Sequence, residues 1–255
     1  MLSEKDDMKM ALIDAELFSI KAAFATENYT LWDPENHPDT WHYTIDYQEA
    51  LANFTDQLHT INDLLPEYGL VLCWGQGKSF RYDVWDTYKS DRKKKLRSIP
   101  AGYQEFKKKL QEKFPSAALE GIEGDDVMGV LYCPNDVIVS EDKDMLTIPG
   151  LHLRGGELVE VTKYAADHAF FTQCLSGDAT DSYPGLKKCG KVGASKILAK
   201  CKNENDMWHS VLAAYEKAGF DERFALSQAR CARILRQGEY NLKTNTPLIW
   251  NPPIN

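Results

Sequence analysis

Carboxylate side chains recur in this 255-residue chain at points where short apolar segments end. Asp14 closes the apolar run Met10–Asp14, and Asp142 and Asp144 follow the run Val137–Val139. Runs of this length and composition are typical of buried strands. Because ligands of an open α/β sheet collect beyond the carboxyl ends of its strands, we expect these acids to meet at one edge of a sheet.

Two other acidic groups stand where helices are expected to begin. Glu123, Asp125 and Asp126 open one predicted helix, and Asp178 and Asp181 open a later helical segment. The last two are three residues apart, which predicts that they share one helical face. Any one of these acids could simply cap a helix or lie on a solvated loop. The interpretation as a site depends on four separate segments that end in the same way.

These eight acids could not converge as bare anions, because their mutual repulsion would raise their pKa values strongly. The set contains only oxygen donors, without His or Cys, and this donor chemistry suits Mg²⁺ or Mn²⁺. Two such ions a few ångströms apart are the usual apparatus for in-line attack on a phosphodiester. The sequence therefore predicts a phosphodiesterase that uses two Mg²⁺ ions, for which Mn²⁺ can substitute.

Charge is sharply segregated along the chain. The formal net charge of −8 would argue against a nucleic-acid partner if it were evenly spread. However, residues 78–113 hold 12 bases and five acids, whereas residues 120–144 hold eight acids and one base. A lysine-rich run is ordinarily a solvated helix face. Beside an acidic cluster that predicts phosphodiester chemistry, we expect the basic run to hold phosphates.

The periodicity between these groups predicts an α/β protein with a mostly parallel central sheet flanked by helices. Residues 1–161 are predicted to form the core and 162–255 a helical subdomain. Residues 31–43 are expected to be a loop, the tail 247–255 to be loose, and the six cysteines to be reduced. Further strands are predicted at Leu70–Trp74, Leu151–Leu153 and Glu157–Val161, and helices at Ile45–Leu65, in two pieces over 78–113, and at Glu123–Leu131, Thr162–Leu175, Asp206–Lys217 and Asp221–Arg236.

Targeting signals and a nucleotide-binding loop are not indicated. The polar N-terminus lacks a signal-peptide pattern and no apolar run is long enough to span a membrane, so we expect a cytoplasmic protein without membrane contact. The segment Gly75–Ser79 resembles the end of a phosphate-binding loop. That motif needs a further glycine where Leu72 stands, which argues against an ATP site.

Four motifs, in order along the chain, resemble those of the 5′ nuclease superfamily, which includes flap endonucleases, the 5′ nuclease domain of bacterial DNA polymerase I and phage exonucleases. They are Arg81 with Asp86–Arg92, then Glu120–Asp126, Ser140–Asp144 and Gly177–Gly185. The nearest likeness is to the short 5′→3′ exonucleases of T-odd podophages, through Gly124–Val130, Asp142–Pro149 and Ala232–Asn241. The resemblance implies a PIN-like 5′ nuclease core with a helical arch over about 80–113, and a helix–hairpin–helix over about 177–199.

The resemblance also implies roles for individual residues. We expect divalent-metal-dependent 5′→3′ hydrolysis of duplex DNA or of the RNA strand of an RNA–DNA hybrid, with flap cleavage as a related activity. The substrate would carry a 5′ end, a flap or an RNA primer, and the enzyme would act as a monomer. Glu123, Asp125 and Asp142, with Asp14 close by, would hold the first metal, and Asp144, Asp178 and Asp181, with Asp126 as a weaker candidate, the second. Lys89 and Arg92 would contact the scissile phosphate. DNA-binding residues would be Arg81, Tyr88, Lys93, Lys94, Lys95, Gly185, Lys187, Lys188, Gly190 and Lys191.

The chain departs from the family pattern at two points. Family members carry an aspartate shortly after the second strand, whereas residues 73–77 contain no acid, which leaves Gln76 or water as substitutes. Lys188 occupies the place of the middle glycine in the hairpin, which weakens the expectation of a K⁺ ion there. Three alternatives remain open at this point: a PIN-type ribonuclease, which would lack the helical hairpin, a catalytically weak protein that holds 5′ junctions, and an α/β domain whose acids are incidental.

Overall fold

Alternating apolar runs and amphipathic segments build an α/β fold. The computed structural model describes residues 9–90 and 99–253. The strands are β1 Met10–Asp14, β2 Glu27–Leu31, β3 Trp41–Ile45, β4 Gly69–Gln76, β5 Ser116–Glu120, β6 Val137–Val139, β7 Gly150–Arg154, β8 Glu157–Val161, β9 Tyr240–Asn241 and β10 Thr246–Pro247. The helices are α1 Ala15–Ala25, α2 Tyr47–Leu64, α3 Arg81–Val84, α4 Tyr103–Lys113, α5 Gly124–Leu131, the 3₁₀-helix Lys143–Thr147, α6 Lys163–Ser176, α7 Lys191–Leu198, α8 Glu204–Lys217 and α9 Glu222–Ala232.

The central sheet has six strands in the order β5-β4-β1-β6-β7-β8. The first five run parallel, and only the edge strand β8 pairs antiparallel with its neighbour. In the register, Ile13 lies beside Leu72 on one side and Val139 on the other. Asp14 and the residues that follow β6 therefore leave the sheet at the same edge, as the sequence predicts. The predicted fold class is confirmed.

In residues 9–90 and 99–253, three apolar cores hold these elements together. On one face of the sheet, α2 and α4 pack through Phe54 and Phe106, both completely buried. On the other face α5 contributes Val127 and Met128. The C-terminal helices form a third core around residues such as Phe170, Trp208 and Tyr215. The division of the chain at residue 161 stays a prediction.

Several predicted elements differ from the observed ones. The segment 31–43 is not simply a loop, because β2 and β3 form an antiparallel hairpin that pairs Tyr29 with Tyr43. The tail is anchored, since Trp250 is buried against Phe170 and Trp208. Helix α1 and strand β5 were not predicted, because their short apolar stretches show no clear period.

The basic segment is only partly described. Its second half forms α4, as predicted, whereas the first half shows the single turn α3 followed by further turns to Ser90. Residues 91–98, which complete the predicted arch, lie outside the described residues.

Across the ranges 9–90 and 99–253, none of the helices is long and apolar enough to cross a membrane.

The hairpin between α6 and α7 contains a strained backbone position. Lys188 has φ +64°, a left-handed conformation that costs a side-chain-bearing residue about 1–2 kcal/mol. Lys188→Gly is therefore expected to increase the free energy of unfolding by about 0.5–1 kcal/mol, after the greater flexibility of glycine in the unfolded chain is subtracted. Urea denaturation measures this change. Lys187 is an exposed neighbour without a positive φ, so Lys187→Gly should not stabilise the protein. Equal stabilisation by both variants would contradict the explanation.

Candidate active site

A cavity of about 700 Å³ lies at the carboxyl edge of the sheet. Its acidic side is formed by Asp14, Glu123, Asp125 and Asp142, which come from three separate segments of the chain. The topology brings them together because β1 and β6 are adjacent parallel strands and α5 begins where the chain returns from β5. The remaining lining residues are Glu16, Leu17, Ile20, Phe24, Gly75, Gly77, Ser79, Tyr82, Lys89, Ile99, Tyr103, Gln104, Lys107, Ile122 and Gly124.

Asp14 is the most firmly held of these acids. It caps α1, with Oδ1 accepting from the Leu17 amide at 3.0 Å, and Oδ2 accepts from the Ser140 hydroxyl at 2.7 Å. The Ser140 hydroxyl oxygen also accepts from the Asp142 amide at 3.0 Å, so it ties the ends of β1 and β6 together. Burial raises the pKa of Asp14 despite these hydrogen bonds, and Asp142 and Glu16 add to the effect.

Asp125 lies among several other acids of the cavity. Burial raises its pKa well above the ordinary value, and the charges of Asp14, Asp142 and Glu123 raise it further. These interactions place the four side chains in one electrostatic group. A cation among them would relieve the repulsion, as expected for the first metal group in the sequence.

A second acidic group lies beside the first. Burial raises the pKa of Asp144 to about 6, with further contributions from Asp142, Asp178 and Asp181. The Oδ1 atom of Asp144 accepts a hydrogen bond from the side-chain Nε2 of Gln173 at 2.5 Å. The structure thus associates Asp144 with Asp178 and Asp181, the members of the predicted second metal group.

Asp178 and Asp181 lie on a turn, so the prediction of a shared helical face is wrong. Asp178 Oδ1 accepts from the amides of Thr180 at 2.6 Å and Asp181 at 3.2 Å. Asp178 also pairs through its backbone with Tyr183, which closes the turn. The acids still lie near each other because the turn is tight rather than helical.

Lys89 lines the cavity, and its ammonium group forms an ion pair with one of the acids. Its Nζ contacts Glu123 Oε1 at 2.6 Å, and its side chain is 14% exposed. The backbone of Lys89 has φ +55°, and its amide donates to the Asp181 carbonyl at 2.8 Å. The predicted phosphate-contacting lysine is therefore fixed at the junction of the two acidic groups.

Tyr88 is buried, so the prediction that it contacts DNA is wrong. Its side chain is 2% exposed, and its hydroxyl lies 3.2 Å from Glu123 Oε2 and 3.0 Å from Asp181 Oδ2. Burial and these acids raise the pKa of Tyr88, against the lowering effect of Arg81, so the phenol retains its proton. Tyr88 therefore belongs to the support of the acidic groups.

Arg81 and Asp126 form a buried ion pair, which corrects their predicted roles as DNA contact and metal ligand. Two guanidinium nitrogens of Arg81 donate to the two oxygens of Asp126, each at 2.7 Å. Asp126 also accepts from the amides of Glu123 at 3.1 Å and Leu235 at 2.9 Å, which leaves its oxygens engaged on all sides. Arg81 also donates to the carbonyls of Cys231 and Arg233. The pair joins α3 and α5 to the C-terminal segment.

The donor chemistry of the remaining acids fits hard divalent cations. Both groups offer carboxylate oxygens, and burial, with a smaller contribution from neighbouring acids, raises the pKa values of Asp14, Asp125 and Asp144. Within residues 9–90 and 99–253, no three His, Cys, Asp or Glu side chains are already arranged to hold an ion. Binding would therefore have to draw the carboxylates inward.

Gln76 does not replace the acid missing at residues 73–77, because it is exposed and is not among the residues that line the cavity. Gly75 and Gly77 line the cavity here, and a Cβ atom on Gly75 would lie 3.1 Å from both the Glu123 Cα and the Gly124 nitrogen. Trp74 is completely buried. Close packing of β4 against the start of α5 therefore leaves little room for a side chain at residue 75.

In the helical hairpin, four of the predicted DNA-binding residues are exposed and one is buried. Gly190 caps α7 and is exposed, as are Lys187, Lys188 and Lys191. Gly185 is buried, has φ +61° and donates its amide to Gln228 Oε1 at 2.9 Å, so it shapes the turn and is not open to DNA. The predicted residues Arg92, Lys93, Lys94 and Lys95 lie outside the described residues.

Sequence reasoning assigned no role to several residues of the site. Ser140 and Gln173 each donate a hydrogen bond to one of the acids. Lys107 lines the cavity and pairs with Glu16 at 2.6 Å. Ser140 stands within a recognised motif, but its function depends on the adjacency of β1 and β6, and Gln173 has no distinguishing sequence pattern.

Removal of one charge from the buried ion pair should be costly. Asp126→Asn keeps the side-chain shape but leaves Arg81 with only the more distant carboxylate of Glu123, at 3.8 Å, so we expect a loss of about 3–5 kcal/mol in the free energy of unfolding. Urea denaturation in EDTA measures the change. Asp125→Asn is the matched control, because it removes a repelling charge and should not destabilise the metal-free protein. A larger loss for Asp125→Asn than for Asp126→Asn would contradict this assignment.

The raised pKa of Asp144 predicts a pH-dependent stability in the absence of metal. Because folding favours its protonated form, its contribution is fully present below about pH 4 and is lost as the pH rises through about 6. Melting temperatures in EDTA between pH 4 and pH 7 should decline less steeply for Asp144→Asn than for the unaltered protein. Asp56→Asn, an exposed control on α2, should keep the original slope; an unchanged slope in Asp144→Asn would refute the prediction.

Comparisons with known proteins agree with this architecture. Residues 9–170 match a family model described as 5′-3′ exonuclease, N-terminal resolvase-like domain. The chain is 27% identical to the exodeoxyribonuclease of Enterobacteria phage T3, over 97% of this chain and 94% of the relative. It is also 27% identical to the exonuclease of Escherichia phage T7, over 97% and 95% of the two chains.

A solved structure shares the fold at low sequence identity. The flap endonuclease of bacteriophage T5, determined as a pseudo-enzyme–product complex with DNA and metal ions, superposes with a TM-score of 0.62. The match covers 87% of each chain at 15% identity. The family model spans more than half of the sequence and the acids occupy the carboxyl edge of its sheet. The chain therefore belongs to the 5′-3′ exonuclease family.

Proposed function

We propose that this protein is a divalent-metal-dependent 5′→3′ exonuclease that hydrolyses phosphodiesters from the 5′ end of duplex DNA. The observation that supports the proposal best is the cavity of about 700 Å³ that the first acidic group lines. The second group lies beside it, and Lys89 contacts Glu123 of the first group and the Asp181 carbonyl of the second. Membership of the family and the phage relatives favour a role in phage DNA replication.

Two Mg²⁺ ions, with Mn²⁺ as a substitute, are the proposed cofactors. Glu123, Asp125 and Asp142, with Asp14 nearby, would hold the first ion. Such ions supply Lewis-acid activation of water and stabilise the leaving oxygen of a phosphodiester. Asp144, Asp178 and Asp181 are the proposed ligands of the second ion; Asp126 is excluded by its pairing with Arg81.

Lys89 is the proposed electrostatic stabiliser of the scissile phosphate. In the metal-free protein its ammonium neutralises Glu123. If a metal ion bound the Glu123 carboxylate, the Lys89 ammonium would be free to contact the phosphate oxygens, on which negative charge grows during attack. Arg92 remains a proposed partner in this role on the basis of the family motif.

Lysines of the helical hairpin are proposed to hold the duplex away from the reacting bond. Lys187, Lys188 and Lys191 are exposed around the amino end of α7, where Gly190 leaves the backbone accessible. A K⁺ ion bound in this hairpin and the basic residues 93–95 of the arch are further proposals from the resemblance. Flap cleavage and removal of RNA primers from hybrids would use the same site. The monomeric state and the cytoplasmic location remain predictions.

A catalytically weak protein that holds 5′ junctions is the second candidate function. The absence of an acid at residues 73–77 favours it, because the first group has fewer carboxylates than the family pattern provides. A PIN-type ribonuclease is less consistent with the fold, which includes the hairpin between α6 and α7.

Cleavage of labelled duplexes tests the proposed activity. With Mg²⁺, a 5′-labelled duplex should release short labelled products at once, whereas a 3′-labelled strand should shorten progressively. EDTA should abolish both patterns. Asp144→Asn, which alters a proposed second-metal ligand, should reduce cleavage by at least a factor of about 100 while Ca²⁺-supported DNA binding persists.

Three outcomes would contradict the proposal. They are equal products with Mg²⁺ and with EDTA, degradation that starts from the 3′ end, and full turnover by Asp144→Asn. Tight binding of 5′ junctions without any cleavage would favour the junction-holding protein instead, and preference for single-stranded RNA would favour the ribonuclease.

A further inference from the structure

The hydroxyl of Tyr88 lies between two acids that no secondary-structure element connects. Glu123 stands at the start of α5, on the sheet side of the site, and Asp181 lies on the turn before the helical hairpin. The hydroxyl is 3.2 Å from Glu123 Oε2 and 3.0 Å from Asp181 Oδ2. Tyr88 is therefore in direct contact with one proposed ligand of each metal ion.

The backbone around Tyr88 is fastened to the same turn. The Lys89 amide donates to the Asp181 carbonyl at 2.8 Å. The Trp85 indole donates to the Ser182 carbonyl at 3.0 Å. With both anchors on residues 181–182, a movement of this turn would displace the Tyr88 hydroxyl, and the reverse also holds.

The chemistry of a phenol limits what this contact can do. It carries one O–H, so it can donate fully to one carboxylate, while its oxygen then approaches the second carboxylate without a proton between them. That second approach is repulsive unless a cation draws electron density from the carboxylate. Lys89 supplies such a charge at Glu123, where its Nζ lies 2.6 Å from Oε1, and a metal ion that took its place would do the same.

We infer that Tyr88 is a positioning residue that sets the separation of the two metal groups through its hydroxyl. The inference rests on the proposed two-metal function. Tyr88 does not touch the substrate in this role; it orients Glu123 and Asp181, so that a cation bound on one side prepares the carboxylate on the other. A hydrogen-bonding partner of metal ligands typically changes metal affinity by about 10–100-fold when it is removed.

Titration of the DNA-free protein with Mn²⁺, followed by electron paramagnetic resonance, tests this role without recourse to activity. Tyr88→Phe retains the buried ring and removes only the hydroxyl. We expect its weaker Mn²⁺ site to lose affinity by about tenfold or more. Tyr215→Phe is the matched control, because Tyr215 is fully buried and its hydroxyl donates to the Cys174 carbonyl at 2.6 Å, outside the acidic groups. It should bind Mn²⁺ as the unaltered protein does.

A second measurement uses the unaltered protein, and so does not depend on the folding of a variant. The ¹³Cζ chemical shift of Tyr88 reports the hydrogen bonding of its hydroxyl and is assigned in the unaltered protein through the scalar connections of the ring to the backbone of the same residue. Addition of Ca²⁺ should shift this resonance and leave that of Tyr215 in place. A merely structural tyrosine would show no such response.

The outcomes separate the inference from the proposed function. Unchanged Mn²⁺ affinities in a folded Tyr88→Phe, or a Tyr88 resonance that does not shift on addition of Ca²⁺, would overturn the inference. Either result would leave the proposed function intact if the unaltered protein still shows metal-dependent cleavage. A loss of Mn²⁺ affinity in Tyr215→Phe equal to that in Tyr88→Phe would also overturn it. Absence of metal-dependent cleavage by the unaltered protein would instead refute the proposed function.

Discussion

Repulsion among carboxylates at one edge of a parallel sheet is the constraint on which the site depends. Asp14 is buried and Asp125 is half-buried, both close to further acids, and desolvation together with these charges raises the pKa of each. The fold tolerates this because strands β1 and β6 are fixed as neighbours by their apolar residues, and because backbone amides and the Ser140 hydroxyl donate to the acids. The same unrelieved charge is what makes the edge receptive to divalent cations.

Two cations of the protein compensate this charge in different ways. Arg81 is 3% exposed and bonds both oxygens of Asp126, so this pair is a permanent part of the fold. Lys89 is partly exposed and holds Glu123 through a single contact. The first arrangement leaves no room for a ligand, whereas the second can be exchanged for metal and phosphate. The distinction explains why one member of the acidic motif is structural while its neighbours face the cavity.

The segment that leads into the arch also links the two halves of the site. Residues 85–89 are bonded to the turn that carries Asp181, and the Tyr88 hydroxyl reaches from this turn to Glu123. A displacement of residues 85–89 would consequently reach proposed ligands of both metals. The positive φ of Lys89 is consistent with a backbone that is held by these contacts rather than by local preference.

The sequence by itself determined the fold class, the strands that end in Asp14 and before Asp142, and the residues that could hold metal. These follow from apolar periodicity and from carboxylate chemistry, both of which are local. It could not distinguish Asp126 from Asp125, because only the approach of Arg81 and the Leu235 amide, distant in the chain, neutralises one of them. The burial of Tyr88 and Trp250 and the turn at Asp178 and Asp181 were likewise decided by tertiary packing, since contacts between remote segments leave no periodic pattern in the sequence.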